Sequence, residues 1–199
     1  MAKKDPVARL RLAIEAHAGL VLDDEDDAEE FAAEIGDLGK IVSAQAKNAE
    51  ALVLCVYAHR KLGDFKAAHA VAKRALALVR NFETVSAAAT VFRAQDKVDA
   101  ACKLFEEAAT LDAKDTTALM EAGKTLGGAE RFAEAERCFV RALERNPKDH
   151  EAEMWGIYAG YAGCAPENEK RYIARMRRFV KAHPDDTGAA GFLRKMTGG

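Results

Sequence analysis

The residues 118–125, Ala-x4-Gly-Lys-Thr, have the spacing of the relaxed nucleotide-binding P-loop. In such a loop, glycine-rich backbone amides cradle phosphates and the lysine neutralises them. That chemistry needs a strand ahead of the loop and a flexible backbone around Gly123. Here Leu119, Ala122 and Leu126 continue a helical apolar stripe, so the segment reads as helix and phosphate binding is disfavoured. A second pattern lies at 23–30, where seven of eight residues are acidic. Asp23, Glu25, Asp27 and Glu34 fall at the first, third, fifth and twelfth positions of a calcium loop. Such a loop turns on a glycine at its sixth position, where this chain has Ala28, and 28–34 is patterned as helix. These acids are therefore expected to flank a helix N-terminus, where carboxylates meet the positive end of the macrodipole.

Cys55, Cys102, Cys138 and Cys164 lie 47, 36 and 26 residues apart, with no CxxC pair. His59 follows Cys55 by four and shares its helical face, but two ligands do not complete a tetrahedral site. No GxSxG, HExxH or dinucleotide fingerprint is present, and the five histidines are scattered. No metal, no cofactor and no enzymatic activity are expected. Four thiols without a disulfide framework fit a reducing cytoplasm. Arg9, Arg11 and Glu15 interrupt any apolar core of an export signal behind Lys3 and Lys4. The longest uncharged stretch, 154–166, is shorter than the roughly 20 residues of a membrane span.

What positions these residues is an internal period. Ala68, Ala101 and Ala135 are 33 and 34 residues apart, and Ala75, Ala108 and Ala142 repeat the interval. So do Phe65, Val98 and Phe132; Leu52, Val85 and Leu119; Cys55, Ala88 and Ala122; and His59, Phe92 and Leu126. A repeat of this length means stacked supersecondary units. Within each unit, apolar residues recur at helical spacing in two runs, such as Leu52, Cys55, Val56 and His59, then Phe65, Ala68, Ala72 and Ala75. Gly63-Asp64 separates the runs of the first unit. Each unit therefore reads as an antiparallel pair of amphipathic helices. The alanine columns let two helix backbones approach near the short end of the ~8–10 Å packing range. Apolar residues at 49% of the chain supply a core, while aromatics at 7% leave alanine packing to fill it.

These residues resemble the tetratricopeptide repeat (TPR). The unit at 116–149 carries the likeness best, with Leu119, Ala122-Gly123, Phe132, Ala135, Phe139, Ala142 and Pro147. The unit at 49–81 matches with Leu52, Gly63-Asp64-Phe65, Ala68 and Ala75, and that at 82–115 keeps Ala101, Phe105 and Ala108 while Asp96 replaces the turn glycine. A divergent fourth unit is expected at 150–186, with three extra residues in the loop Gly163-Cys164-Ala165. Ahead of these lies a leading helical pair in 1–48, one helix running to about Gly19 and another over 28–46. The residues 187–199 form a terminal cap. The resemblance implies an all-α, right-handed superhelical solenoid of antiparallel helix pairs.

It also implies a binding surface. In TPR proteins the second, fifth, ninth, twelfth and thirteenth residues of each unit face a concave groove. Those positions are Glu50, Val53, Tyr57, Arg60 and Lys61 in the first unit, and Glu83, Ser86, Thr90, Arg93 and Ala94 in the second. The third supplies Thr117, Met120, Lys124, Gly127 and Gly128, and the fourth Glu151, Met154, Tyr158, Tyr161 and Ala162. The expected ligand is a peptide segment bearing acidic residues beside apolar ones, met by Arg60, Lys61, Arg93 and Lys124. Val53 and Tyr57 stand where some family members place a lysine-asparagine clamp for terminal carboxylates, which disfavours that ligand.

Charge adds two alternatives. The net charge is only -2, yet 1–50 holds six basic and twelve acidic residues while 167–199 holds eight basic and four acidic. Arg171, Arg175, Arg178 and Lys181 form a basic patch. The leading expectation is a non-enzymatic adaptor or chaperone-like module that binds another protein. One alternative is a self-assembling scaffold, a homo-oligomer joined through acidic and basic ends; the other is nucleic-acid association through the basic helix.

Overall fold

The computed structural model describes residues 5–17, 19, 21–22 and 24–198. Lys3, Lys4 and Asp23 lie outside the described residues, among which there are twelve α-helices and no strand. They are α1 (Pro6–Ala16), α2 (Glu25–Ile35), α3 (Leu38–Ala44), α4 (Ala49–Lys61), α5 (Phe65–Leu78) and α6 (Phe82–Arg93). They continue with α7 (Val98–Leu111), α8 (Thr117–Gly128), α9 (Phe132–Arg145), α10 (His150–Ala162), α11 (Pro166–Ala182) and α12 (Thr187–Thr197). None is long and apolar enough to cross a membrane. The chain forms two compact units, Met1–Leu111 and Asp112–Gly199.

In the first unit, Asp5 caps α1 by accepting a hydrogen bond from Val7 N, and Pro6 occupies the first turn, where its missing N–H leaves no bond unmade. Asp24 caps α2, accepting from the amides of Asp26 and Asp27, so the acidic run is the start of a helix. Glu25, Asp27 and Glu34 sit in that helix and not in an ion-binding loop. The single helix expected over 28–46 is two helices. Gly36 adopts φ 72°, a left-handed conformation that ends α2, and Asp37 starts α3 by accepting from Lys40 N.

Behind this leading segment stand α4 with α5 and α6 with α7, each pair antiparallel and closely packed. Caps explain the boundaries: Asn48 for α4, Asp64 for α5, and Asn81 for α6, where Thr84 completes a reciprocal capping box. The turns inside the pairs share one backbone device. Gly63, Asp96 and Glu130 have φ of 68°, 54° and 59°, so the left-handed turn persists through the period even where glycine does not. Ala68, Ala75, Ala101, Ala108, Ala135 and Ala142 are all fully enclosed, as close helix packing requires. Leu10, Phe31, Ile35, Leu38, Ile41 and Val42 from the leading helices join Leu52, Cys55, Val56 and Val71 in one core.

The second unit packs α8 on α9, α9 on α10, α10 on α11 and α11 on α12. The helix α8 runs unbroken through Gly123-Lys124-Thr125, and Thr125 Oγ1 donates to Glu121 O at 2.6 Å, which leaves no phosphate-binding loop there. A Cβ on Gly123 would stand 2.7 Å from the Phe139 ring, so this glycine serves the α8–α9 contact. The three extra residues of the fourth pair lengthen its second helix and not its loop: α11 has 17 residues against 14 in α5, α7 and α9. The C-terminal segment is a further helix, capped by Asp186 and buried through Ala189 and Met196.

Candidate functional site

The positions that the repeat register assigns to a binding surface lie on the first helix of each pair. In the first unit these are α4 and α6, which pack side by side. Val53 is core, 7% exposed. Tyr57 is half-buried, and the Arg60 guanidinium, itself buried, lies 5.4 Å from the centre of its ring, within cation–π range. Lys61 is buried and reaches from α4 to the loop that precedes α2: Nζ donates to His17 O and, at 2.9 Å, to Gly19 O. Burial and then the neighbouring Arg60 charge hold its ammonium below the ordinary lysine range. The backbone closes the same latch, since Leu22 N donates to Lys61 O at 2.8 Å. On α6, the Thr90 hydroxyl donates to Ala87 O, and Ser86 and Arg93 are half-buried. Burial also pushes the His59 imidazole down, an effect that Asp64 opposes from 3.6 Å.

In the second unit the same register gives Met120 and Lys124 on α8 and Met154, Tyr158 and Tyr161 on α10. Met120 and Met154 are buried. Lys124 lies 2.8 Å from Glu151 and 3.8 Å from Glu121, so its charge is balanced inside the unit. Tyr158 stacks on Phe192 of α12, ring centres 4.1 Å apart and planes at 13°. Tyr161 donates its hydroxyl to Met196 O at 3.1 Å. The last helix thus engages two of the fourth pair's register positions. These partners were readable only in part: Glu121 stands one turn from Lys124 in sequence, whereas Glu151, Phe192 and the carbonyls around Lys61 are far along the chain.

The basic patch lies on α11. Arg171 and Lys181 are exposed, Arg175 sits 5.8 Å over the Tyr172 ring, and Arg178 Nε donates to Ala174 O within the helix at 3.4 Å. Tyr172 in turn donates to Glu136 at 2.9 Å, and its phenol is raised by burial and then by that bond. A cleft of about 380 Å³ opens beside the patch, lined by Glu153, Arg175, Arg178, Phe179, Ala182 and His183. No group of three or more His, Cys, Asp or Glu side chains suited to a metal ion occurs among the described residues.

No protein-family model and no curated protein matches this chain. Solved structures do. YrrB, described as a TPR protein with an unusual peptide-binding site, is 18% identical, with 96% of this chain and 92% of that one aligned at a TM-score of 0.59. A thermophilic TPR protein from Thermus thermophilus is 13% identical, with 97% and 99% aligned at 0.67. MamA from Desulfovibrio magneticus RS-1 is 15% identical, with 94% and 99% aligned at 0.62. The repeat columns, the left-handed turns at 63, 96 and 130 and these likenesses agree: the chain has the all-α fold of tetratricopeptide-repeat proteins.

Proposed function

We propose that this chain is a non-enzymatic interaction module, adaptor or chaperone-like, that holds a segment of another protein against the first helices of its repeats. The observation that carries the reading is where polar groups are buried. Arg60, Lys61, Thr84, Thr90 and Thr125 are the buried polar residues among those described, and every one belongs to a first helix, α4, α6 or α8; Lys61 and the three threonines bond within the chain, and Arg60, beside Tyr57, carries the assignment. A polar side chain held in a partly desolvated wall is pre-organised, and a charge-assisted bond formed there exceeds its counterpart in water. Tyr57 with Arg60 on α4, and Ser86 with Arg93 on α6, are the side chains to which the reading assigns contact with the ligand. Their chemistry suits an acidic residue flanked by apolar ones. YrrB, a protein of the same fold, has a peptide-binding site, which supports this assignment. Four thiols suit a reducing cytoplasm.

Selection from a random peptide display library on the purified chain tests this. Enrichment of segments combining Asp or Glu with Leu, Phe or Met is expected. Binding of the selected peptides, read by fluorescence anisotropy, should fall at least about tenfold in Arg93→Glu and in Tyr57→Ala. Both variants should keep the wild-type circular dichroism. Peptides that bind both variants as tightly as wild type, or a selection that enriches nothing, would remove the first-helix assignment.

A further inference from the structure

Some charges on this chain are paired within it. Arg11 pairs with Glu50, Arg80 with Glu107, Arg131 with Glu134 and Lys124 with Glu151. Two helix faces instead align like charges without such a pair. Along α11, Arg171, Arg175 and Arg178 recur at i, i+4 and i+7, which places them on one stripe, with Lys181 continuing it. None of the four forms an ion pair with a carboxylate among the described residues; Arg175 rests on an aromatic ring and Arg178 on its own helix's carbonyl. Along α2, Phe31 and Ile35 face the core, while Asp27, Glu30 and Glu34 recur at i, i+3 and i+7 and are all exposed. Their carboxylates likewise meet no cation among the described residues.

The two spacings are mirror images. Steps of four then three along α11 coincide with steps of three then four along α2 when the helices run antiparallel. Each triplet spans seven residues, about 10.5 Å of helix axis. From this we infer that α11 is a docking surface for α2 of a second copy, with Arg171 opposite Glu34, Arg175 opposite Glu30 and Arg178 opposite Asp27. The cleft lined by Arg175 and Arg178 together with Phe179, Ala182, His183 and Glu153 has space for a further carboxylate side chain beside both guanidiniums. Charge selects the occupant: the chain is strongly acidic over 1–50 and basic over 167–199, so each copy carries both halves of the contact. Each copy carries one α2 and one α11, so the contact either closes reciprocally in a dimer or larger ring or propagates as an open filament. Being exposed, it is screened by salt. This inference is independent of the peptide surface on the first helices.

Sedimentation velocity of the full chain across a concentration series, at about 50 mM and about 500 mM salt, gives the first reading, since screening lengths differ severalfold between them. A concentration-dependent mass at low salt that falls to the monomer at high salt is expected. The decisive arm uses two charge-reversed chains, Arg171→Glu/Arg175→Glu/Arg178→Glu and Asp27→Lys/Glu30→Lys/Glu34→Lys. Each alone should remain monomeric, and an equimolar mixture should associate at low salt. Because Arg175 also packs on Tyr172, an Arg171→Glu/Arg178→Glu chain serves as a second basic-side variant, expected to weaken self-association at least about tenfold. A wild-type chain that stays monomeric at low salt, or variants that fail to associate when mixed although folded, overturns the inference. So does a monomeric wild type that binds a mixed-sequence RNA oligonucleotide through the same arginines, which would assign the patch to nucleic acid.

Discussion

Replacing Gly123 by alanine tests the packing on which the repeat depends. An alanine in a helix interior is worth about 1 kcal/mol over glycine where space allows, because glycine loses more backbone entropy on folding. At Gly123 space does not allow it. The new Cβ would stand 2.7 Å from Cε1 and Cζ of Phe139 and 3.1 Å from Cδ1, against an optimum of about 3.5–4.0 Å. The ring cannot simply retreat: Phe139 is 1% exposed and is backed by Trp155, with ring centres 6.2 Å apart. Overpacking of this kind costs about 1–3 kcal/mol, so after the propensity gain a net loss of about 1 kcal/mol is expected. Gly127, on the same helix, has nothing within 4 Å of an added methyl, and Gly127→Ala should stabilise by about 0.5–1 kcal/mol. The two variants should therefore differ by nearly 2 kcal/mol, or about 4–8 °C in melting temperature. Urea unfolding followed by circular dichroism and by Trp155 fluorescence reads both global and local effects, since the one tryptophan stacks on the ring in question. In a Phe139→Leu background, Gly123→Ala should recover its propensity gain, giving a coupling of at least about 0.5 kcal/mol. A Gly123→Ala chain as stable as Gly127→Ala, or a coupling near zero, would refute the reasoning.

Three other outcomes follow from single residues. Glu130 occupies the left-handed turn that Gly63 fills in the first pair, and Glu130→Gly should relieve about 1–2 kcal/mol of backbone strain against a smaller entropic loss, raising the melting temperature; an unchanged or lower value would deny that strain. Burial pushes the Cys55 thiol up to about 11, so mass-mapped alkylation of the native chain at pH 8 should modify the half-buried Cys102 well before Cys55, and urea should abolish the difference. The Arg80 guanidinium, by a bidentate hydrogen bond, holds the Glu107 carboxyl below the ordinary glutamate range. A depressed carboxyl stabilises the fold above its unfolded-state pKa and ceases to as pH falls through the folded one. The stability gap between wild type and Glu107→Gln should therefore shrink as unfolding is measured from pH 7 toward pH 3, and a constant gap would count against the pair.

Much of the fold was legible because one-carbon columns and capping residues are local signals. Breaks between helices in the central pairs fall beside Gly63-Asp64 and Asp96, which the periodic pattern singles out, and also beside Asn48, Asn81 and Glu130, which it does not. Two features were misread for equally local reasons. Gly36 lies inside an otherwise amphipathic run, and its positive φ splits what periodicity joins. In the fourth pair, the extra residues could lengthen a loop or a helix, and periodicity does not say which; the chain extends α11. The candidate site was legible only as positions. Which of its charges serve the chain itself depends on contacts across long sequence separations: Lys61 with carbonyls at 17 and 19, Lys124 with Glu151.

Those contacts redistribute the work of equivalent positions. A repeat places the thirteenth residue of each unit on the same wall, yet in the first unit this residue, Lys61, secures the loop that precedes α2, and so holds the leading helices against α4. The ninth and twelfth residues of the fourth pair, Tyr158 and Tyr161, receive α12 in the same way. Helical pairs at the ends of an array have apolar faces that no further repeat covers, and segments that cap them must take their contacts from surface the interior repeats keep for other uses. On the proposed reading, recognition then falls to first-helix positions other than Lys61, Tyr158 and Tyr161. In the first unit the residues so assigned are Tyr57 and Arg60 on α4 and Ser86 and Arg93 on α6, and Arg93→Glu, on a helix that neither α1 nor α2 packs against closely, should change binding with little effect on how the leading helices dock.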